Sequence, residues 1–285
     1  MRRIRAGWAL TKKSWGVLRD NRQLIRFPIY GAIASIPLAI ITLGPGLYLI
    51  EEGGELVGIP LMVIGVYILA VVTIFFSVGL AATANRIFQN EPEATVGHGL
   101  ADARGLFPQI AGWAFFSTVV GLIISAIEEQ GWAGAIIGRL LDIGWALVTF
   151  LAVPVIAIEG TGPITTIKRA GSLFKSRWGQ QVTGNIAIGG VTFLLGFLPG
   201  AALVGLGILL WSTSGFGGAL LVVVGAIVIM IAMLIQKALS GIFGVALYHY
   251  AAEGAALGGF TQEELESAVK PKKRGGGPSP APTTV

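Results

Sequence analysis

The chain contains no cysteine, which excludes disulfide bonds, thiolate catalysis and cysteine-ligated metal centres. Histidine is nearly as scarce, with His98 and His249 the only two in 285 residues, too few for a histidine-rich metal site or a proton relay. Charged side chains make up 12% of the sequence against 54% apolar ones, a ratio foreign to ordinary soluble domains. Charge is also missing over long stretches: none occurs in 27–50, 56–85, 106–127 or 178–236. A nucleotide-binding glycine loop, a nucleophile with a neighbouring base and a metal-ligand spacing are absent as well. The net charge of +5 would suit nucleic acid, but the basic residues flank the apolar runs and do not form a domain of their own. Anionic lipid headgroups are the expected counter-charge, and nucleic acid is not an expected partner.

What remains is long apolar helix. At 1.5 Å per residue, about 20 residues cross a hydrocarbon core of about 30 Å, and the runs predict an all-α, polytopic membrane protein. Six transmembrane helices are expected at about 27–50, 57–85, 106–127, 136–158, 183–211 and 217–250. All Lys and Arg residues except Arg139 fall in segments assigned to the inner side. Glu51, Glu52, Glu55, Glu128 and Glu129 occupy the two charged outer turns. By the positive-inside rule both termini are cytoplasmic. The 42 glycines predict close helix packing, with Gly196-x-x-x-Gly200 the clearest signal.

Two basic segments carry helical periodicity. Residues 1–26 place Ile4, Trp8, Trp15 and Leu18 on one stripe, which predicts an N-terminal interfacial helix with tryptophans at headgroup depth; a signal peptide is the competing reading. Residues 163–178 place Ile164, Ile167, Phe174 and Trp178 on one stripe, with Lys168, Arg169, Lys175 and Arg177 around it. This predicts a cytoplasmic amphipathic helix lying on the membrane, the alternative being a solvated helix covering the inner mouth of the bundle. Residues 253–285 form a tail: a short helix with a capping box from Thr261 to Glu264 and a staple from Phe260 to Leu265, then a disordered stretch. Leu10-x-x-x-x-Trp15-Gly16 echoes Leu173-x-x-x-x-Trp178-Gly179, and Ala103-x-x-Leu106-Phe107 echoes Ala170-x-x-Leu173-Phe174. The echoes suggest three copies of interfacial helix plus hairpin.

The stretch from Trp8 to Pro28, with Ser14-Trp15, Leu18, Asn21 and Leu24, carries a resemblance. So do Val153-Pro154-Val155, Glu159, Gly162-Pro163, Trp178-Gly179 and Ala246-Leu247-Tyr248-x-Tyr250-Ala251. Together they resemble an uncharacterised family of prokaryotic six-span membrane proteins. More distantly the layout is similar to the membrane domain attached to some glycerophosphodiester phosphodiesterases. The resemblance implies architecture only and brings no activity or binding residue with it; a prokaryotic plasma membrane is the expected setting.

Glu159, Asn185 and Lys237 map near the cytoplasmic ends of spans four, five and six, with Gln180, Gln181 and Thr183 nearby, and form a candidate polar site. An ionisable residue inside a membrane marks function by default, although each can also reach the headgroups. Counting about 20 residues down from Gly217 brings Lys237 level with Glu159, so the two are expected to neutralise one another. Arg139 and Asp142 are expected to form a local ion pair, and His249, between Tyr248 and Tyr250, to sit in an interfacial aromatic belt. No enzyme, metal or cofactor is expected. The expected function is a membrane-organising, sensing or partner-docking protein whose partner is the anionic bilayer, with a second copy or another protein left open. The alternative is a transporter or lipid-handling protein using the candidate polar site, which calls for a polar cavity reaching the midplane.

Overall fold

The computed structural model describes residues 2–91, 94–178, 193–211 and 213–269, and among the described residues all regular structure is helical. A surface helix α1 (Arg2–Asp20) and a 3-10 turn (Arg22–Ile25) lead into the hairpin α2 (Arg26–Glu51) and α3 (Glu55–Phe88). The short α4 (Val96–Gly105) precedes the hairpin α5 (Phe107–Glu128) and α6 (Gly131–Glu159). Surface helix α7 (Pro163–Trp178) comes before a π turn (Phe193–Phe197), α8 (Leu198–Leu210), α9 (Gly215–Glu253) and the closing α10 (Gln262–Val269). Among the described residues, five segments are long and apolar enough to cross a membrane: Arg22–Glu51, Glu55–Phe88, Phe107–Glu128, Gly131–Glu159 and Gly215–Glu253. The expected fifth span, 183–211, is represented by the shorter apolar helix Leu195–Leu210, its beginning lying outside the described residues.

Within the hairpins, glycine sets the approach. In α8–α9 a Cβ on Gly207 would lie 2.7 Å from the carbonyl oxygen of Gly218, and one on Gly200 3.0 Å from that of Gly225. The paired positions are seven residues apart on both helices, two full turns, so the backbones touch along a seam. Gly196 meets Ala232 on the same seam, which makes Gly196-x-x-x-Gly200 a packing motif here. Gly46 and Gly58 play the same part in α2–α3. In α5–α6 the contact is aromatic, with Trp113 stacked on Trp145 at 5.7 Å.

Away from these seams the apolar helices carry their large side chains outward: Ile33, Ile40, Leu56, Phe115, Leu140 and Phe216 are all exposed. The buried core lies elsewhere, at the end of the bundle opposite the acidic turns. There the last turns of α3 (Leu80, Ala84, Phe88), α6 (Leu151, Val155) and α9 (Leu239 to Ala251) pack against Leu10, Leu18, Leu173, Phe174, Phe260 and Leu265. Among the described residues, three hairpins stand on a packed cap made by α1, α4, α7 and α10. Each hairpin is preceded by a surface helix, and the repeat-related Ala103 and Ala170 are both fully buried.

The cap changes several expectations. Helix α1 splits its predicted stripe: Leu10, Ser14 and Leu18 are buried while Trp8 and Trp15 stay about half exposed, 51% and 46%. The i, i+4, i+8 face goes to protein, where three helices are available to cover it, and the tryptophan face does not. Helix α7 likewise buries Thr166, Ala170, Leu173 and Phe174 against the bundle and leaves Ile164 outside, so Phe174 is a core residue and one face of the helix packs on the end of the bundle. The side chains of Arg177 and Trp178 lie outside the described residues. His249 belongs to no interfacial belt, because it is 2% exposed and its neighbours Tyr248 and Tyr250 are buried too. Arg139 and Asp142 are both exposed on α6 and form no ion pair among the described residues. The tail's capping box is present, with the Thr261 N–H donating to Glu264 Oε2 at 2.9 Å and the Glu264 N–H to Thr261 Oγ1 at 3.3 Å.

Candidate functional site

The polar groups of the bundle collect in one layer of the cap, at the junctions where each returning helix meets the next surface helix. Helix α6 stops at Gly160, whose left-handed φ of 63° turns the chain as a helix C-cap does. Pro163 restarts it one turn later, and Thr161 and Thr166 share a hydroxyl hydrogen bond of 2.8 Å. The reversal brings Arg169 of α7 back onto Glu159, the last residue of α6. Glu159 Oε1 accepts from Arg169 Nε at 2.7 Å and from the Tyr248 hydroxyl of α9 at 2.7 Å. The hydrogen bond to Glu159 raises the Arg169 guanidinium above its ordinary value.

The α3–α4 junction is built the same way with the charges exchanged. Arg86 donates through Nε and Nη2 to both oxygens of Asp102 at 3.0–3.1 Å and through Nη1 to Glu91 at 2.8 Å. Its neighbour Asn85 places Oδ1 2.6 Å from His249 Nε2, while His249 Nδ1 lies 3.1 Å from Glu253. Because Asn85 and Arg86 are adjacent on α3, and Tyr248 and His249 adjacent on α9, the three groups form one continuous layer tying α3, α4, α6, α7 and α9 together. His98 stands apart on the surface, where Thr95 caps α4 by accepting from the His98 N–H at 3.3 Å.

Lys237 is not in that layer. It lies eleven residues before Tyr248 on α9, about 16 Å up the helix at 1.5 Å per residue, which overturns its expected pairing with Glu159. The inference that placed them level took the cap-embedded end of α9 for membrane; α9 runs on to Glu253, and Glu159 meets that extension. Lys237 instead lines a cavity of about 170 Å³ between α2, α3, α6 and α9, together with Ser77, Thr149 and Ser240. Ser77 and Thr149 donate to the carbonyls of Thr73 and Trp145, which leaves their hydroxyl lone pairs free to accept. Among the described residues no carboxylate pairs with Lys237. From Lys237 back to Gly215 is about 33 Å of helix, close to the thickness of a hydrocarbon core. Asn185, with Gln180, Gln181 and Thr183, falls outside the described residues. Of the three candidate residues, the two described ones are therefore in separate places.

Lys168 and Lys175 are exposed on α7 and Arg169 is engaged by Glu159, so the basic face expected for headgroups is reduced by one residue. Among the described residues no group of three or more His, Cys, Asp or Glu side chains could hold a metal ion. The ionisable groups in the layer satisfy one another and hold helices in place.

Residues 56–259, more than half of the chain, match the model of a family of unknown function, DUF6159. The chain belongs to that family. No curated protein matches it. The DUF6159 match takes in α3 to α9, and with them Lys237, the polar layer and the last two hairpins; α1 and α2 precede it.

Sequence reasoning missed Arg86–Asp102, Tyr248–Glu159 and Asn85–His249. Their common signal was present as the first polar residues beyond each long apolar run, where a returning helix leaves lipid and needs partners.

Proposed function

We infer that the protein is a non-enzymatic, multi-pass membrane protein that holds and organises an anionic membrane face through its cap. The observation that carries this reading is the position of the packed core: it lies beneath the hairpins with exposed Trp8, Trp15, Lys168 and Lys175 around it, and not around a polar passage between them. Tryptophan at headgroup depth and lysine toward anionic lipid are the ordinary anchors of such a face. With the basic cap inside, both termini are cytoplasmic and the acidic turns external. Six crossings are our reading, with the apolar helix Leu195–Leu210 belonging to one of them. Our reading keeps a distant likeness of layout to the membrane domain attached to some glycerophosphodiester phosphodiesterases, and takes a prokaryotic plasma membrane as the setting.

The test is reconstitution of the full chain in phosphatidylcholine vesicles with and without phosphatidylglycerol. The difference in emission between the wild type and a Trp8→Phe/Trp15→Phe variant isolates those two indoles. Blue-shifted emission, quenched by brominated lipid, is expected; emission of water-exposed indole, insensitive to the quencher, rejects the reading. The Lys237 cavity favours a second reading, transport or lipid handling. It supports that only if Lys237→Ala abolishes a measured lipid or ion flux that the wild type sustains.

A further inference from the structure

A larger cavity, of about 550 Å³, lies between α1, α9 and Leu195 and Gly196 of the π turn that leads into α8, on the face of α9 away from Lys237. One wall is a single stripe of α9 running from Val228 through Ile231, Ala232 and Ile235 to Leu239, positions i, i+3, i+4, i+7 and i+11 of one helix face. It presents about 16 Å of apolar surface along the helix axis, and it ends two residues past Lys237. The other wall is the half-exposed face of α1: Trp8, Thr11, Lys12 and Trp15. Lys12 is exposed and pairs with no carboxylate among the described residues. The groove is therefore apolar where it lies in the membrane, and aromatic, hydroxyl-bearing and cationic where it reaches headgroup depth.

We propose that this groove is a binding site for one anionic phospholipid, its acyl chain along the α9 stripe and its phosphate on Lys12 between the two indoles. The graded polarity selects a molecule apolar at one end and anionic at the other, and the open cap-side mouth lets the headgroup remain in water. An indole supplies apolar area with an N–H at its edge, and an ammonium is a point charge suited to phosphate. The site deepens the membrane-face reading and rests on the interfacial placement of α1.

Native mass spectrometry of the full chain in detergent, titrated with palmitoyl-oleoyl phosphatidylglycerol or phosphatidylcholine, tests it. The wild type should take up a first phosphatidylglycerol in preference to phosphatidylcholine. Lys12→Gln should cut that preference about fivefold, the ratio corresponding to one lysine at an anionic surface. Val228→Phe, which leaves every charge in place and narrows the groove, should remove the first adduct of either lipid. Equal uptake of the two lipids by the wild type, an unchanged preference in Lys12→Gln, or a retained first adduct in Val228→Phe each overturns the site. Tryptophan emission of the same variants in vesicles separates this from the broader reading. If emission stays blue-shifted while the adduct results fail, the groove is wrong and the membrane face stands; if emission is that of exposed indole, the membrane face itself is wrong.

Discussion

Removing Glu159 and Arg169, singly and together, measures how firmly the cap is stitched. Glu159 Oε1 accepts from both Arg169 Nε and the Tyr248 hydroxyl at 2.7 Å. The Arg169 side chain is 42% exposed and that of Glu159 22%, so water screens the ion pair and its coupling should be about 1 kcal/mol, the upper end for exposed pairs. The Tyr248 hydroxyl is in a different position. Its residue is buried, and losing its acceptor leaves a desolvated donor, a cost of about 1–3 kcal/mol. Glu159→Ala should therefore cost about 2–4 kcal/mol, Arg169→Ala about 1 kcal/mol, and the double variant about 1 kcal/mol less than the sum. Unfolding in mixed micelles of mild detergent and dodecyl sulfate, followed by far-ultraviolet circular dichroism, supplies the three free energies. A parallel cycle between Glu159→Gln and Lys237→Gln should be additive to about 0.5 kcal/mol, since those residues are about three helical turns apart and share no partner. Coupling of 159 with 237, or none with 169, would refute the layered cap.

Two more outcomes follow from the geometry. Gly207→Ala sets a Cβ against the backbone of Gly218 and Val222 and should destabilise the protein by about 1–3 kcal/mol, whereas Gly205→Ala, which meets nothing within 4 Å, should not; equal effects in the same micelle assay would show that the seam does not set the helix approach. Because the chain lacks cysteine, single cysteines at Glu52, Gly215 and Ser172 can be labelled in intact cells with an impermeant maleimide. The first two should react and the third should not, and the reverse pattern would invert the proposed orientation.

The helices were legible in the sequence because length without charge is a coarse signal that tertiary contacts do not alter. The continuous α9, the capping box at Thr261 and the Gly196–Gly200 packing motif are each stated by local residues, and each is present. What was illegible is which partner a helix face meets. The Trp8–Leu18 and Ile164–Phe174 stripes have the period of membrane-surface helices, but period does not distinguish a lipid surface from the end of a protein bundle, and α7 takes the protein. The same ambiguity misplaced Lys237: an uncharged run continuing from lipid into a buried cap has no internal mark at the boundary, so counting residues from the far end put lysine and glutamate at one level.

The repeat explains why its echoes in sequence were so short. Two junctions do the same job with opposite charges: Arg86 of α3 grips Asp102 of α4, and Glu159 of α6 grips Arg169 of α7. A third contact, Lys13 of α1 with Glu264 of α10 at 3.9 Å, brings the chain's last described helix back to its first. An ion pair is indifferent to which partner carries which sign, so the geometry can recur while the residues at equivalent positions reverse. Small buried positions have no such freedom. Ala103 and Ala170, each fully enclosed, admit little beyond a methyl group without overpacking, and they are among the positions that repeat as letters. The echoes thus include tight contacts of the cap, Ala103 and Ala170 and the buried Leu10 and Leu173, while the outward surfaces of the hairpins, which need only be apolar, are free to diverge.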